Sequence, residues 1–167
     1  MINFLKAINE SHFKILEVLA KTIWQEHYIP IIGESQVSYM LNKFQSQQAI
    51  AQQVVNGYEY FIVMFNTENI GYVAVKKEQS HLFLSKLYLL RHYRGKGFGK
   101  NTLQFVEQKA RQLNCKSVLL TVNKNNTDSI TAYEASGFQN LGEIITEIGN
   151  GFVMDDYKMQ KILNDAF

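Results

Sequence analysis

One cysteine, one proline and one tryptophan in 167 residues are the scarcities that bound this sequence. The lone cysteine, Cys115, cannot pair within the chain, and no signal-like apolar run precedes a cleavage site, so a reducing cytoplasm is the expected home. No run approaches the ~18 to 20 apolar residues of a bilayer span, so no membrane partner is expected. Charge of one sign is also missing: 17 Lys plus Arg stand against 15 Asp plus Glu. That balance advertises no nucleic acid, and any polyanion must be met by a local cluster. The four histidines have no paired spacing with cysteine or carboxylates, so no metal site is expected.

Hydrophobic residues at 46% and aromatics at 13% are enough for a core without disulfide or metal staples. The length suits one domain, residues 1–167. Residues 2–8 read as an opening strand. Asn9 or Ser11 can then cap a helix to about Glu26, with Phe13, Leu16, Leu19, Ala20 and Ile23 on one stripe. Pro30 stops that helix, and Gly33 to Ser35 restart a second over residues 36–55, its stripe Val37, Met40, Leu41, Phe44 and Ala51. Residues 58–65 and 70–75 form a hairpin across a turn at 66–69. A strand at 81–90 then feeds, through glycines, a helix with Leu103, Val106, Ala110 and Leu113 on its inner face. A strand at 117–122, a short helix at 126–136 ended by Gly137, and strands 138–148 and 152–162 turning at 149–151 complete the chain. The expected class is α/β: a mixed, mostly antiparallel central sheet of about seven strands with about four helices on its faces.

The segment richest in chemistry is Arg94-Gly95-Lys96-Gly97-Phe98-Gly99-Lys100, between a strand and a helix. Alternate glycines leave the backbone unshielded, so its N–H groups can close on an anion that also meets the positive end of the helix dipole. Arg94, Lys96 and Lys100 add cations around it. A glycine-rich turn with solvated lysines is the plain alternative. A Walker A loop fails, because Arg94 stands where its first glycine belongs and Asn101 where Ser or Thr belongs. A dinucleotide fingerprint fails at Lys100, and no kinase catalytic segment exists.

Arg94, Gly97 and Gly99, following a strand that ends in Leu87-Tyr88-Leu89, resemble the acyl-CoA signature of the GNAT N-acetyltransferase superfamily. The family's second element, an Asn, then a Tyr, then three intervening residues and Gly-Phe, is matched by Asn126, Tyr133, Gly137 and Phe138. The element order also resembles that fold over nearly the whole chain. Thr22-Ile23-Trp24, His27-Tyr28, Gln36, Tyr39-Met40-Leu41 and the segment from Gly149 to Tyr157 look like the PaiA-type branch, which acetylates spermidine and spermine. The resemblance implies acetyl transfer from acetyl-CoA to an amine, with a small-molecule acceptor such as a polyamine; dimers are frequent in the superfamily, so a homodimer is compatible with it. It implies that the backbone of Leu87, Tyr88 and Leu89 holds the pantetheine arm and that the Leu89 N–H polarises the acetyl carbonyl. Residues 94–100 (Arg94, Gly95, Lys96, Gly97, Phe98, Gly99, Lys100) would take the diphosphate, with Asn126 and Tyr133 also at the cofactor.

Tyr133 is the implied catalytic acid for the leaving thiolate; a packed ring is its plain alternative, and Asn126 can equally cap its helix. Glu34, His27, His81, Tyr28 and Tyr39 are eligible as the base, and so is a water chain. Asp155 and Asp156 can attract a cationic acceptor or be merely solvated. Cys115 lacks partners for a nucleophilic set and reads as a buried spectator. An acetyltransferase acting on proteins, or a CoA-binding regulatory module without turnover, would keep the same loop.

Overall fold

A computed structural model of the chain describes residues 1–164. Its elements are β1 (Ile2–Lys6), α1 (Glu10–His27), α2 (Ile29–Ile32), α3 (Glu34–Phe44), α4 (Gln47–Val55), β2 (Glu59–Phe65), β3 (Glu68–Glu78), β4 (His81–Leu89), a 3-10 turn (Arg91–Tyr93), α5 (Phe98–Gln112), β5 (Ser117–Asn123), α6 (Thr127–Ala135), β6 (Gln139–Gly149) and β7 (Phe152–Ile162). The strands form a seven-stranded sheet in the order β1-β2-β3-β4-β5-β7-β6. The β4–β5 ladder is parallel, whereas β1–β2, β2–β3, β5–β7 and β6–β7 are antiparallel. The mixed, mostly antiparallel sheet expected from the pattern is therefore present.

The chain divides into two compact units, one of Met1–Lys76 with Lys86–Leu103, the other of Lys77–Ser85 with the chain from Gln104 on. In the first, Asn9 caps α1 by accepting from the His12 N–H at 3.0 Å, and Phe13, Leu16, Leu19, Ala20, Ile23 and Trp24 are all buried. The helix count differs from expectation. The single helix foreseen at 36–55 is interrupted, and a further turn precedes it, giving six α-helices among the described residues. Pro30 sits in the first turn of α2, where its missing N–H has no helical partner to lose. Ser46 ends the continuity of α3 and α4 by accepting from the Ala49 N–H at 3.2 Å, which caps α4. The apolar stripe runs through this break, and so the periodicity conceals it.

Hairpin β2–β3 turns at Asn66 and Thr67, both at positive φ (48° and 73°). Gly71 pairs with Val63 but Asn69 with Met64, so Ile70 is an extra residue that bulges β3. In the second unit, Val106 and Ala110 on α5 are fully buried, with Val118 and Leu120 on β5 and Met159 on β7 also in its core. Strands β6 and β7 turn through Gly149, Asn150 and Gly151, all at positive φ.

Candidate active site

The end of β4 is fixed by β3. A Cβ added to Gly71 would lie 2.2 Å from the Tyr88 carbonyl oxygen and 3.0 Å from Leu89 Cα, so only glycine permits this approach. The Leu90 N–H donates to the Ile70 carbonyl at 2.8 Å. No cis peptide bond occurs among the described residues. In a trans peptide the N–H points opposite to the C=O. The Tyr88 carbonyl faces β3, and the Leu89 N–H is therefore directed away from it. By the same geometry the Leu89 carbonyl also points away from β3, and there it accepts from Arg94 Nε at 3.1 Å. The β4–β5 ladder covers only His81–Phe83 against Ser117–Leu119.

Arg94 is exposed, yet its Nε is tied to the strand, and its NH1 meets His27 Nδ1 at 3.2 Å. Beyond it, Gly95 (φ 71°) and Gly97 (φ 88°) adopt left-handed backbone, and an added Cβ at either would meet nothing within 4 Å. The backbone surface is open. The N–H groups of residues 98–100 precede the first helical bond, Asn101 N–H to the Gly97 carbonyl at 3.1 Å. No acidic residue stands in this first turn of α5, and Lys96 and Lys100 are exposed. Phe98 packs on Phe65 at 4.8 Å and near Tyr93 at 6.0 Å, Lys96 lies 5.9 Å over the Tyr93 ring, and the Tyr93 hydroxyl donates to Glu68. That bond to Glu68 raises the Tyr93 pKa. The corner is accordingly a braced, open backbone surface with positive polarity, suited to a diphosphate.

The second unit holds Asn126 and Tyr133. Asn126 is buried and occupies the N-cap position of α6, with no side-chain cap bond; its carbonyl accepts from the Ile130 N–H at 3.1 Å. Gly137 (φ 96°) closes α6, which lets the Phe138 N–H return to the Tyr133 carbonyl at 3.0 Å. The Tyr133 and Phe138 rings meet edge to face at 5.5 Å, so the Tyr–Gly-Phe motif has a local structural cause.

The candidate bases fall in different places. Arginine only donates, so in a hydrogen bond with Arg94 the His27 Nδ1 can only accept, which engages that nitrogen. It is not a ready base. His81 opens β4; its Nε2 is buried without a hydrogen-bond partner, with the Glu78 carboxylate 3.4 Å away in ion-pair contact only. Glu34 is exposed in the first turn of α3, and the Tyr39 hydroxyl accepts from Lys43 at 3.2 Å. The Tyr28 hydroxyl donates to that of Tyr88 at 3.4 Å. Asp155 pairs with Lys124 at 2.8 Å, which also reaches Glu143 at 3.0 Å, and this raises the Lys124 pKa; Asp156 is buried. Cys115 is buried, and burial pushes its thiol pKa up.

A buried polar network in the first unit has no counterpart in the sequence reading. Trp24 Nε1–H donates to the Tyr72 hydroxyl at 3.0 Å, Tyr72 to Gln45 Oε1 at 2.7 Å, Gln45 Nε2 to the Tyr60 hydroxyl at 3.3 Å, and Tyr60 to Gln53 Oε1 at 2.6 Å. The Gln45 and Gln53 amides both close on the Phe44 carbonyl at 2.7 Å, satisfying the end of α3. Tyr72 also contacts Tyr88 edge to face at 5.5 Å, so the network backs β4 beside Leu89. No local motif marks it.

The model of the acetyltransferase (GNAT) family matches residues 21–138. The chain belongs to this family. It is 34% identical over 68 residues to a probable spermine N(1)-acetyltransferase of Bacillus subtilis subsp. natto, covering 40% of this chain and 45% of that relative. The match thus spans less than half of that protein's length. The N-alpha-acetyltransferase 30 of Dictyostelium discoideum is 23% identical over 174 residues, 96% of this chain and 92% of that one. In fold, the PaiA N-acetyltransferase of Thermoplasma acidophilum, solved in complex with coenzyme A, superposes with a TM-score of 0.81 at 20% identity, covering 98% of this chain and 99% of that chain. No helix among the described residues is long and apolar enough to cross a membrane.

Proposed function

We propose that the protein is an N-acetyltransferase that moves the acetyl group of acetyl-CoA to the primary amine of a small molecule, by direct attack in a ternary complex. The observation that carries this reading is the corner at residues 94–100, with positive φ at Gly95 and Gly97, helix N–H groups 98–100 ahead of the first intrahelical bond, and no carboxylate in the turn. Main-chain donors, helix dipole and the Lys96 and Lys100 cations together suit the CoA diphosphate. A cytoplasmic setting fits this substrate.

In the reaction the amine nitrogen bonds to the acetyl carbon while the carbon–sulfur bond breaks and the pair leaves on sulfur. Negative charge gathers on the acetyl oxygen, and the Leu89 N–H, turned away from β3, is the donor we assign to it. The departing thiolate takes a proton from a hydroxyl, for which Tyr133 is the residue proposed, and the surplus proton shed by the acetylated nitrogen returns through water to that phenolate. An alkylammonium of pKa about 10.4 must first lose a proton, and water is the carrier we favour because His27 is engaged by Arg94.

The acceptor class we propose is a polyamine, a reading supported by the partial likeness to the Bacillus spermine acetyltransferase. A protein N-terminus is the second reading, favoured by likeness to the N-alpha-acetyltransferase along 96% of the chain. Chromatography of products from acetyl-CoA with polyamines, aminosugars, amino acids and peptides tests both. Acetylated spermidine or spermine supports the first and an acetylated peptide the second. If no amine is acetylated while CoA still binds, the chain is a CoA-binding module. In an active protein, Tyr133→Phe is expected to lose turnover and keep CoA binding.

A further inference from the structure

We propose that Arg94 is a positioning residue, whose guanidinium holds the Leu89 carbonyl so that the Leu89 N–H can face the acetyl oxygen. The inference rests on the acetyltransferase reading and concerns what the Arg94 side chain does within it. In extended backbone the N–H and C=O of one residue project to the same side of the strand. An oxyanion bonded to the Leu89 N–H would therefore lie near the negative end of the Leu89 carbonyl, and the two would repel. Arg94 answers this: Nε donates to that carbonyl at 3.1 Å and brings a permanent positive charge beside it.

The same contacts fix the peptide planes on both sides of Leu89. The plane before it is held by the Tyr88 carbonyl lying against Gly71, where an added Cβ would stand 2.2 Å away. The plane after it is held at both ends, its N–H by the Ile70 carbonyl at 2.8 Å and its oxygen by Arg94. His27 Nδ1, at 3.2 Å from NH1, keeps the guanidinium from swinging toward the loop. A side chain tied at two of its nitrogens is poorly placed to follow a phosphate, although its backbone still leads into the glycine corner.

The test compares two acetyl donors. Acetyl-CoA carries the diphosphate, whereas S-acetylpantetheine offers the same thioester without it. For Arg94→Met, kcat is expected to fall about 10- to 100-fold, the scale of a 1 Å misplacement, with a matching loss in kcat/KM for S-acetylpantetheine. Arg94→Lys keeps the charge but not the fork, and it is expected to recover less than half of that loss on a logarithmic scale. A loss confined to KM for acetyl-CoA, absent with S-acetylpantetheine and restored by Arg94→Lys, would overturn the proposal in favour of a phosphate clamp.

Hydrogen exchange gives a reading independent of turnover. Releasing the Leu89 carbonyl should speed exchange of the Leu90 amide at least tenfold in Arg94→Met, with α1 amides unchanged. An unaltered Leu90 rate overturns the proposal even in an active enzyme. If the parent acetylates nothing, the acetyltransferase reading falls by itself, and the exchange rates still decide whether Arg94 holds Leu89.

Discussion

Replacing Tyr72 by Phe removes one oxygen atom from the interior and keeps the ring. That oxygen accepts from Trp24 Nε1 at 3.0 Å and carries the proton given to Gln45 Oε1 at 2.7 Å. Trp24 and Gln45 are 3% and 1% exposed, so water cannot take over either bond. Each orphaned group costs about 1 to 3 kcal/mol, and together we expect a loss of about 3 kcal/mol. With a urea m-value of about 2 kcal/mol/M, the unfolding midpoint should fall by about 1.5 M at unchanged m. Trp24 is the only tryptophan, so its fluorescence reports both the transition and the loss of its native partner. A loss below about 0.5 kcal/mol would mean that the hydroxyl does not bridge these groups, and the polar link between α1, β3 and the α3–α4 break would have to be abandoned.

Burial raises the hydroxyl pKa of Tyr60 and places that of Tyr72 well above its ordinary value of 10.0. The unfolded chain loses these protons near pH 10 and the folded chain does not, so stability is intact below pH 10 and falls at about 1.4 kcal/mol per pH unit per residue above it; denaturation between pH 9 and 11 reads this, and a flat profile would contradict it. Gly71→Ala should cost about 1 to 3 kcal/mol by overpacking against the Tyr88 carbonyl and reduce turnover more than it alters CoA affinity, as unfolding and kinetics on one preparation would show. Ser46→Ala removes the cap of α4 and should cost about 1 kcal/mol in urea unfolding, a loss absent if α3 and α4 were one continuous helix. Cys115 should resist a thiol reagent at pH 8 in the folded protein and react on unfolding, since it is buried and its pKa is raised; rapid reaction in native buffer would contradict its burial.

The parts legible in the sequence are those whose cause is local. The α1 stripe and the glycine corner depend on side-chain period and on backbone freedom, both written in consecutive residues, and the structure places the first in the core and the second at a helix start. The break after Phe44 was not legible, because Leu41, Phe44 and Ala51 keep the helical period while the cause is Ser46 capping and Gln45 turning in toward Tyr60 and Tyr72. Burial of Gln45 is decided by partners on β2 and β3, far along the chain. The residues beside Gly71 carry no mark of the close approach of β4, which comes from Tyr88, 17 residues further on. For Asp155 and Asp156 the residues leave two readings open, a cationic acceptor or solvation, and the structure sets Lys124 against Asp155 at 2.8 Å.

The most direct measurement is a map of backbone amide shifts as CoA is added to the protein. The account predicts saturable changes centred on the amides of residues 95–100 and of Leu89, at CoA concentrations well below millimolar. Shifts that avoid both segments, or none at millimolar CoA, would contradict it.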